Sequence, residues 1–188
     1  MVEDQKIVNC DDKARIKRIA FVFSCPGQEE EKTKKLVSGM TGCNLEKLLK
    51  NIKDEIIKED FKDRYDFTIT NSHNEVHYKA LNNRTEPLNS KIKEVKNLER
   101  LINELKEAEI IICFGKKSKY ALSQIKNQLK ENTKVLHSRH LGLMSLNQIE
   151  LEKEITNKTD ERIKIVAQKI IDDYKQKSAE QCLSIEFV

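Results

Sequence analysis

The sequence predicts an α/β protein: a three-layer α/β/α sandwich around a central, mostly parallel four-stranded sheet. Three observations predict it. Short apolar runs rich in β-branched and aromatic residues, IAFVF (Ile19 to Phe23) and IIICF (Ile110 to Phe114), read as strands buried on both faces. Amphipathic stretches at helical spacing lie between the strands, so strand and helix alternate along the chain. Glycines and polar clusters stand directly after the strands, where open parallel sheets bind their ligands.

The elements follow in order. Residues Met1 to Lys17 are polar and charged and form an N-terminal arm ahead of a single domain over residues 18–188. After the first strand comes a Pro-Gly turn (Pro26, Gly27), a charged loop, the glycines Gly39 and Gly42, then a helix carrying Leu45, Leu48, Leu49, Ile52, Ile56 and Ile57. With only 5 glycines in the chain, their clustering here argues that backbone must approach something closely. YDFTIT, Tyr65 to Thr70, is the second strand. A polar loop leads to one long helix from about Asn89 to Ala108, with Ile92, Val95, Leu98, Leu101, Ile102 and Leu105 as its apolar stripe. The third strand, Ile110 to Phe114, closes on Gly115 and is followed by a helix bearing Tyr120, Leu122, Ile125 and Leu129. Val135 and Leu136 make a short fourth strand; a last helix spans about Thr159 to Tyr174, and the tail CLSIEFV is read as a further edge strand.

Composition narrows the class. The chain of 188 residues has no apolar run near the roughly 20 residues of a membrane span, and Met1 to Cys10 lacks a signal-peptide pattern. We therefore expect a cytoplasmic monomer with no membrane partner. Its 5 cysteines are scattered without CxxC spacing, against a disulfide framework or structural zinc, and no metal is expected. A net charge of +4 says little about a polyanion partner; Lys116, Lys117 and Lys119 behind Gly115 say more.

The strand ends carry the candidates for chemistry: Ser24 to Gly27, Asn71 to His73, Gly115 to Lys119, and His137 to Gly142. In order and spacing, FSCPG (ending at Gly27), LVSGMTGCNLEKLL (ending at Leu49), ITN (ending at Asn71), NNRTEP (ending at Pro87), ICFG (ending at Gly115) and RHLG (ending at Gly142) form a series. This series resembles the uracil-DNA glycosylase superfamily, and most closely its iron-sulfur branch, whose counterparts read GEAPG, PFVGRAGQLLDRLL, ITN, GNRTPEP, VALG and HPA or HPS. The resemblance covers about Arg18 to Leu146.

It implies a DNA partner and a flipped-out pyrimidine. Asn71 would read the base edge, and His140, with His137 as rival, would donate to the base O2 as the glycosidic bond breaks. The pocket would be lined by Cys25, Pro26, Gly27, Gln28, Val37, Gly39 and His73. Gly115, Lys116, Lys117, Ser118 and Lys119 would hold DNA phosphates, with Arg139 and His137 beside them.

The chain departs from that pattern in three ways. The family's acid falls on Ser24, and the slot that is Asp or Asn in other branches falls on Cys25, leaving Glu29 or Glu30 to supply a carboxylate. The cluster cysteines are absent, so no iron-sulfur cluster and no cofactor is expected. The stacking Phe falls on Val37 and the blocking Tyr on Gly27, which leaves a pocket wide enough for a 5-modified base. The expectation is a DNA glycosylase removing uracil or a modified pyrimidine, in repair or in defence against phage DNA. The alternative is an inactive DNA- or protein-binding module of the same fold. GKKSK as a nucleotide-phosphate loop is disfavoured, since the spaced second glycine of GxxxxGK[ST] is missing.

Overall fold

Four apolar segments form the sheet that positions everything else. In the computed structural model, which describes residues 6–10, 13–152 and 155–185 (side chains to residue 180), β1 spans Ile16–Phe23, β2 Phe67–Asn71, β3 Ile110–Phe114 and β4 Lys134–Ser138. All pairings are parallel, in the order β2-β1-β3-β4. The protein is thus an α/β fold with a four-stranded all-parallel sheet flanked by helices, the class its sequence predicts. Every residue of β3 is buried, which explains why IIICF is a continuous apolar run, not an alternating one. β4, at the edge, is fully buried only at Leu136.

The helices are α1 (Gln28–Thr33), α2 (Met40–Ile52), α3 (Lys79–Asn82), α4 (Asn89–Ile92), α5 (Val95–Leu105), α6 (Lys116–Ile125), α7 (Leu143–Leu146) and α8 (Lys158–Ile185). The two-residue period of β1 divides the core. Ile19, Phe21 and Phe23 pack on one face with Leu45, Leu48 and Leu49 of α2 and Ile163, Val166 and Ile170 of α8. Ala20 and Val22 pack on the other with Leu101 and Leu105 of α5 and Ala121, Leu122 and Ile125 of α6. On the first face Phe21 meets Phe67 edge-on at 5.5 Å between centroids, and Phe23 stacks on Phe114 at 4.7 Å. Each such ring contributes about 1.5–3 kcal/mol by leaving water. Among the described residues no helix is long and apolar enough to cross a membrane.

The structure corrects several details. The helix expected over 89–108 is broken: Glu94 is extended (φ −55°, ψ 129°) and separates α4 from α5. The buried Asn97 side chain donates to the Ile92 carbonyl at 2.9 Å, taking an acceptor that an unbroken helix would use itself. Val95, assigned to the apolar stripe, is 71% exposed. Residues 182–185 of the tail continue α8 and form no edge strand; residues 186–188 lie outside the described residues. The charged loop after Gly27 contains a helical turn, α1, closed by the Glu30 carboxylate accepting from the Gly27 N–H at 3.0 Å. α2 starts at Met40, so Gly42 sits inside its first turn, and α2 leads at Lys53–Ile57 into a π-helical turn that ends where Lys58 turns left-handed.

Gly42 is required there by packing. A Cβ on it would lie 1.8 Å from the Val37 carbonyl oxygen. Val37 itself has φ 53°, a strained value for a β-branched residue, and its side chain is buried in the core. Gly42→Ala is therefore expected to lower stability by about 2 kcal/mol through overpacking. An ordinary helical glycine would gain roughly 0.5–1 kcal/mol from the same change, so the sign of the shift in urea midpoint checks the contact.

Candidate functional site

The ends of β1 and β2 lie side by side, with Phe23 paired to Asn71. Asn71 falls on the same face as Phe67 and Ile69, and the residue is 4% exposed. Among the described residues its side-chain amide makes no hydrogen bond, which leaves both a donor and an acceptor for a ligand. Beyond β1 the chain is knitted to the end of β2. The Ser24 carbonyl accepts from the Ser72 hydroxyl at 2.5 Å and from the His73 N–H at 3.3 Å, and the Pro26 carbonyl accepts from the His77 N–H at 2.9 Å.

The positions that hold acids in the resembling family are neutral here. Ser24 is 6% exposed, and its hydroxyl oxygen is buried without a formed hydrogen bond. Burial pushes the Cys25 thiol up to about 12, and it donates to the Thr85 carbonyl at 3.5 Å. Cys25 is a protonated thiol at neutral pH and supplies no negative charge. Glu30 is engaged at the Gly27 N–H, while Glu29, at the surface, pairs with Lys32 at 2.8 Å and rests its stem against Gly39. Gln28 is exposed, and Val37 points into the core.

The two candidate histidines are separated by the sheet. His137 lies in β4 beside Val135, on the α6 face, and its Nδ1 is 2.7 Å from the Cys113 sulfur. His140 lies on the opposite face, its ring edge-on to Phe23 at 6.1 Å. The backbone N–H of Gly142 donates to His140 Nδ1 at 2.9 Å, so the ring proton resides on Nε2. Gly142 makes room for it, since a Cβ there would lie 2.9 Å from Nδ1, whereas Gly115 is required by its φ of 90° and a Cβ on it would only touch the His140 Cβ at 3.7 Å. Asn44 of α2 donates to the Leu141 carbonyl at 2.8 Å and ties this loop down. The result is a fixed, neutral imidazole with an N–H to give.

A polar cluster on α5, which sequence reasoning missed, holds the end of β2. Arg100 donates to the Asn71 carbonyl at 2.9 Å, to Thr70 Oγ1 at 3.1 Å and to Glu104 at 2.6 Å, and Asn97 donates to the Ser72 carbonyl at 2.9 Å. The available signal was Asn97, Arg100 and Glu104 at i, i+3 and i+7 on one face of an amphipathic helix. Also unnoticed was His73-x-Glu75-x-His77, which places three ligand-type side chains on alternate residues after β2.

The basic elements lie at the next strand end. Gly115 closes β3 and opens α6, whose first turn carries Lys116, Lys117 and Lys119 and no acid; the Ser118 hydroxyl is turned back onto the Gly115 carbonyl at 3.0 Å. Lysines at the positive end of a helix oppose its dipole, an arrangement that an anion would relieve. Lys117 lines a groove of about 380 Å³ with Lys79, Arg84, Thr85 and Pro87, and Lys119 lines one of about 570 Å³ with Lys126, Lys134, Lys177 and His137. Arg139 spends one of its donors on the Ser145 carbonyl at 2.8 Å.

No protein-family model matches this sequence, and no curated protein is significantly similar to it.

Two expectations follow from this geometry. Arg100→Ala would remove the cation paired with Glu104 and release the Asn71 carbonyl; a loss of about 3 kcal/mol is expected in urea unfolding, as for breaking a mostly buried ion pair. Burial holds the pKa of His140 below its ordinary 6.5. The unfolded chain then takes up the proton first as pH falls, so stability declines from about pH 6.5 downward until the folded state is protonated too. The urea midpoint should fall between pH 7 and 5, and His140→Gln should shrink that fall.

Proposed function

We propose that the protein is a DNA glycosylase that hydrolyses the N-glycosidic bond of a flipped-out pyrimidine and leaves an abasic site. The observation that carries the reading is the pairing of Asn71 and His140 around Phe23: one presents an unengaged amide, the other a neutral imidazole whose Nε2 proton is free. An amide can read the donor and acceptor pattern of a pyrimidine edge. An imidazole N–H aimed at the base O2 stabilises the charge that develops there as the bond to the sugar breaks. The order of motifs from Arg18 to Leu146 supports the same reading. The lysines at the start of α6, with Lys117 in a groove beside Lys79 and Arg84, would supply the phosphate contacts such an enzyme needs.

Water attack in this scheme proceeds without a carboxylate at Ser24 or Cys25. The leaving base is stabilised separately from the sugar cation, and each factor of ten in rate corresponds to about 1.36 kcal/mol, so base-anion stabilisation alone gives measurable catalysis. With Val37 turned into the core and Gly27 bearing no side chain, no ring from either position would crowd the base C5, and the substrate we favour is a 5-modified pyrimidine in foreign DNA.

One observation favours a second reading. A buried hydroxyl and a protonated thiol at the acid positions are what a glycosylase fold kept only for binding would carry. Incubation with uracil-containing DNA and with phage DNA bearing modified cytosines, followed by alkaline cleavage, separates the two. Base release that falls by roughly 100-fold or more in Asn71→Ala and His140→Ala supports the enzyme. Salt-dependent DNA affinity with no abasic product from either substrate selects the binding module.

A further inference from the structure

After a bend at Ser72 the chain runs from His73 to Tyr78 between β2 and α3, with a β-bridge at Glu75. The arm pairs along it: Val8 N–H donates to the Asn74 carbonyl at 3.1 Å, Val76 N–H donates to the Lys6 carbonyl at 2.9 Å, and Ile7 bridges Glu75. Residues two apart in an extended segment share a face. Val76 therefore enters the core, while His73, Glu75 and His77 project together on the other side. One ligand atom from each lies within 4.8 Å of the other two. The Glu75 carboxylate is 3.9 Å from His73 Nδ1 and 4.0 Å from His77 Nε2, too far for hydrogen bonds.

Both imidazoles are 7% exposed, and His77 Nε2 is buried with no hydrogen-bond partner. A buried polar atom without a partner is a defect that folded proteins rarely leave. His73 Nδ1 is unprotonated and accepts a long hydrogen bond from the Glu75 N–H at 3.3 Å, which it gives up if its single lone pair is to bind an ion. Two buried imidazoles and a partly exposed carboxylate thus converge on one point.

We propose that His73, Glu75 and His77 bind one divalent transition-metal ion, best matched by zinc, through three protein ligands with a fourth position open. Mixed nitrogen and oxygen donors select zinc over magnesium or calcium, which take oxygen ligands. Donors bonded to one zinc at about 2.0–2.1 Å stand about 3.4 Å apart, so side-chain rotations closing gaps of at most about 1.4 Å complete the site. The outer partner is at hand. A ligating imidazole gives its other N–H to an oxygen. The Asn82 amide lies 2.8 Å from His77 Nδ1, and a half-turn puts its oxygen there, giving up the longer contacts to the Val76 carbonyl (3.4 Å) and the Arg84 N–H (3.3 Å). The ion revises the expectation of a metal-free protein. It would brace a segment whose backbone is already hydrogen-bonded to the arm and, through the His77 N–H on Pro26, to the loop after β1. The inference does not depend on glycosylase activity.

The test is zinc titration of chelator-treated full-length protein, with metal content by mass spectrometry, alongside the visible spectrum of the cobalt(II)-loaded protein. One zinc per chain is expected, with the intense d–d bands of four- or five-coordinate cobalt and no thiolate charge-transfer band. Glu75→Gln and His77→Ala should weaken zinc binding by more than roughly 100-fold, and Asn82→Ala by roughly tenfold. Failure of the wild-type protein to take up stoichiometric zinc overturns the proposal. So does the pale spectrum of six-coordinate cobalt, a thiolate band placing the ion on cysteines, or undiminished affinity in folded Glu75→Gln.

Discussion

Phe23, the last residue of β1, is the contact on which the rest of the molecule depends. Its ring stacks on Phe114 within the core and meets His140 edge-on, and its backbone is paired to Asn71. β1 is buried on both faces between two packed strands, so this residue has no freedom to move without disturbing both halves of the core. In the glycosylase reading proposed above, the acting side chains gain most from neighbours that cannot shift. The neighbours of His140 and Asn71 are apolar packing and backbone hydrogen bonds, both of which hold a fixed geometry.

The polar groups around that contact divide into those consumed by the fold and those left over. Arg100, Glu104, Thr70 and Asn97 are consumed: they satisfy one another and the carbonyls at the end of β2. Asn44, Gly142 and Glu30 likewise anchor loops. The Asn71 amide, His140 Nε2 and His77 Nε2 have no such duty. An unengaged polar group at a buried position is tolerated where a ligand or ion meets it; His77 Nε2 is such a group, as are Ser24 Oγ and Arg64 Nε, and in the readings proposed above the Asn71, His140 and His77 groups are the ones that meet a ligand or ion. They lie at two neighbouring places, the Asn71–His140 pair and the His73–Glu75–His77 face, both reached from the C-terminal end of β2.

The charge pattern is consistent with this division. Lys116, Lys117 and Lys119 stand at the end of a helix that repels them and lie by two grooves lined with further basic residues, although the chain as a whole is only +4. Placement, not total, distinguishes a surface that meets an anion from a solvated one.

The sequence by itself determined the alternation of strands and helices, the parallel sheet, and the convergence of polar residues at the strand ends. These depend on period and on local composition: IAFVF and IIICF announce two-sided burial, and Leu45, Leu48 and Leu49 announce a helix face. Other features were decided only by tertiary structure. The break at Glu94 arises because Asn97, distant from Ile92 in an ideal helix, captures its carbonyl while also serving Ser72. Which of His137 and His140 reaches the face of Asn71 depends on β4 continuing to Ser138, so that His137 stays in the strand on the α6 side. The neutrality of Cys25, the turn of Val37 into the core and the meeting of His73, Glu75 and His77 rest on burial and on pairings with residues far away in the chain. Periodicity is a local property and can be read along the chain; desolvation and juxtaposition are set by what packs against a residue, and that is fixed only when the layers close.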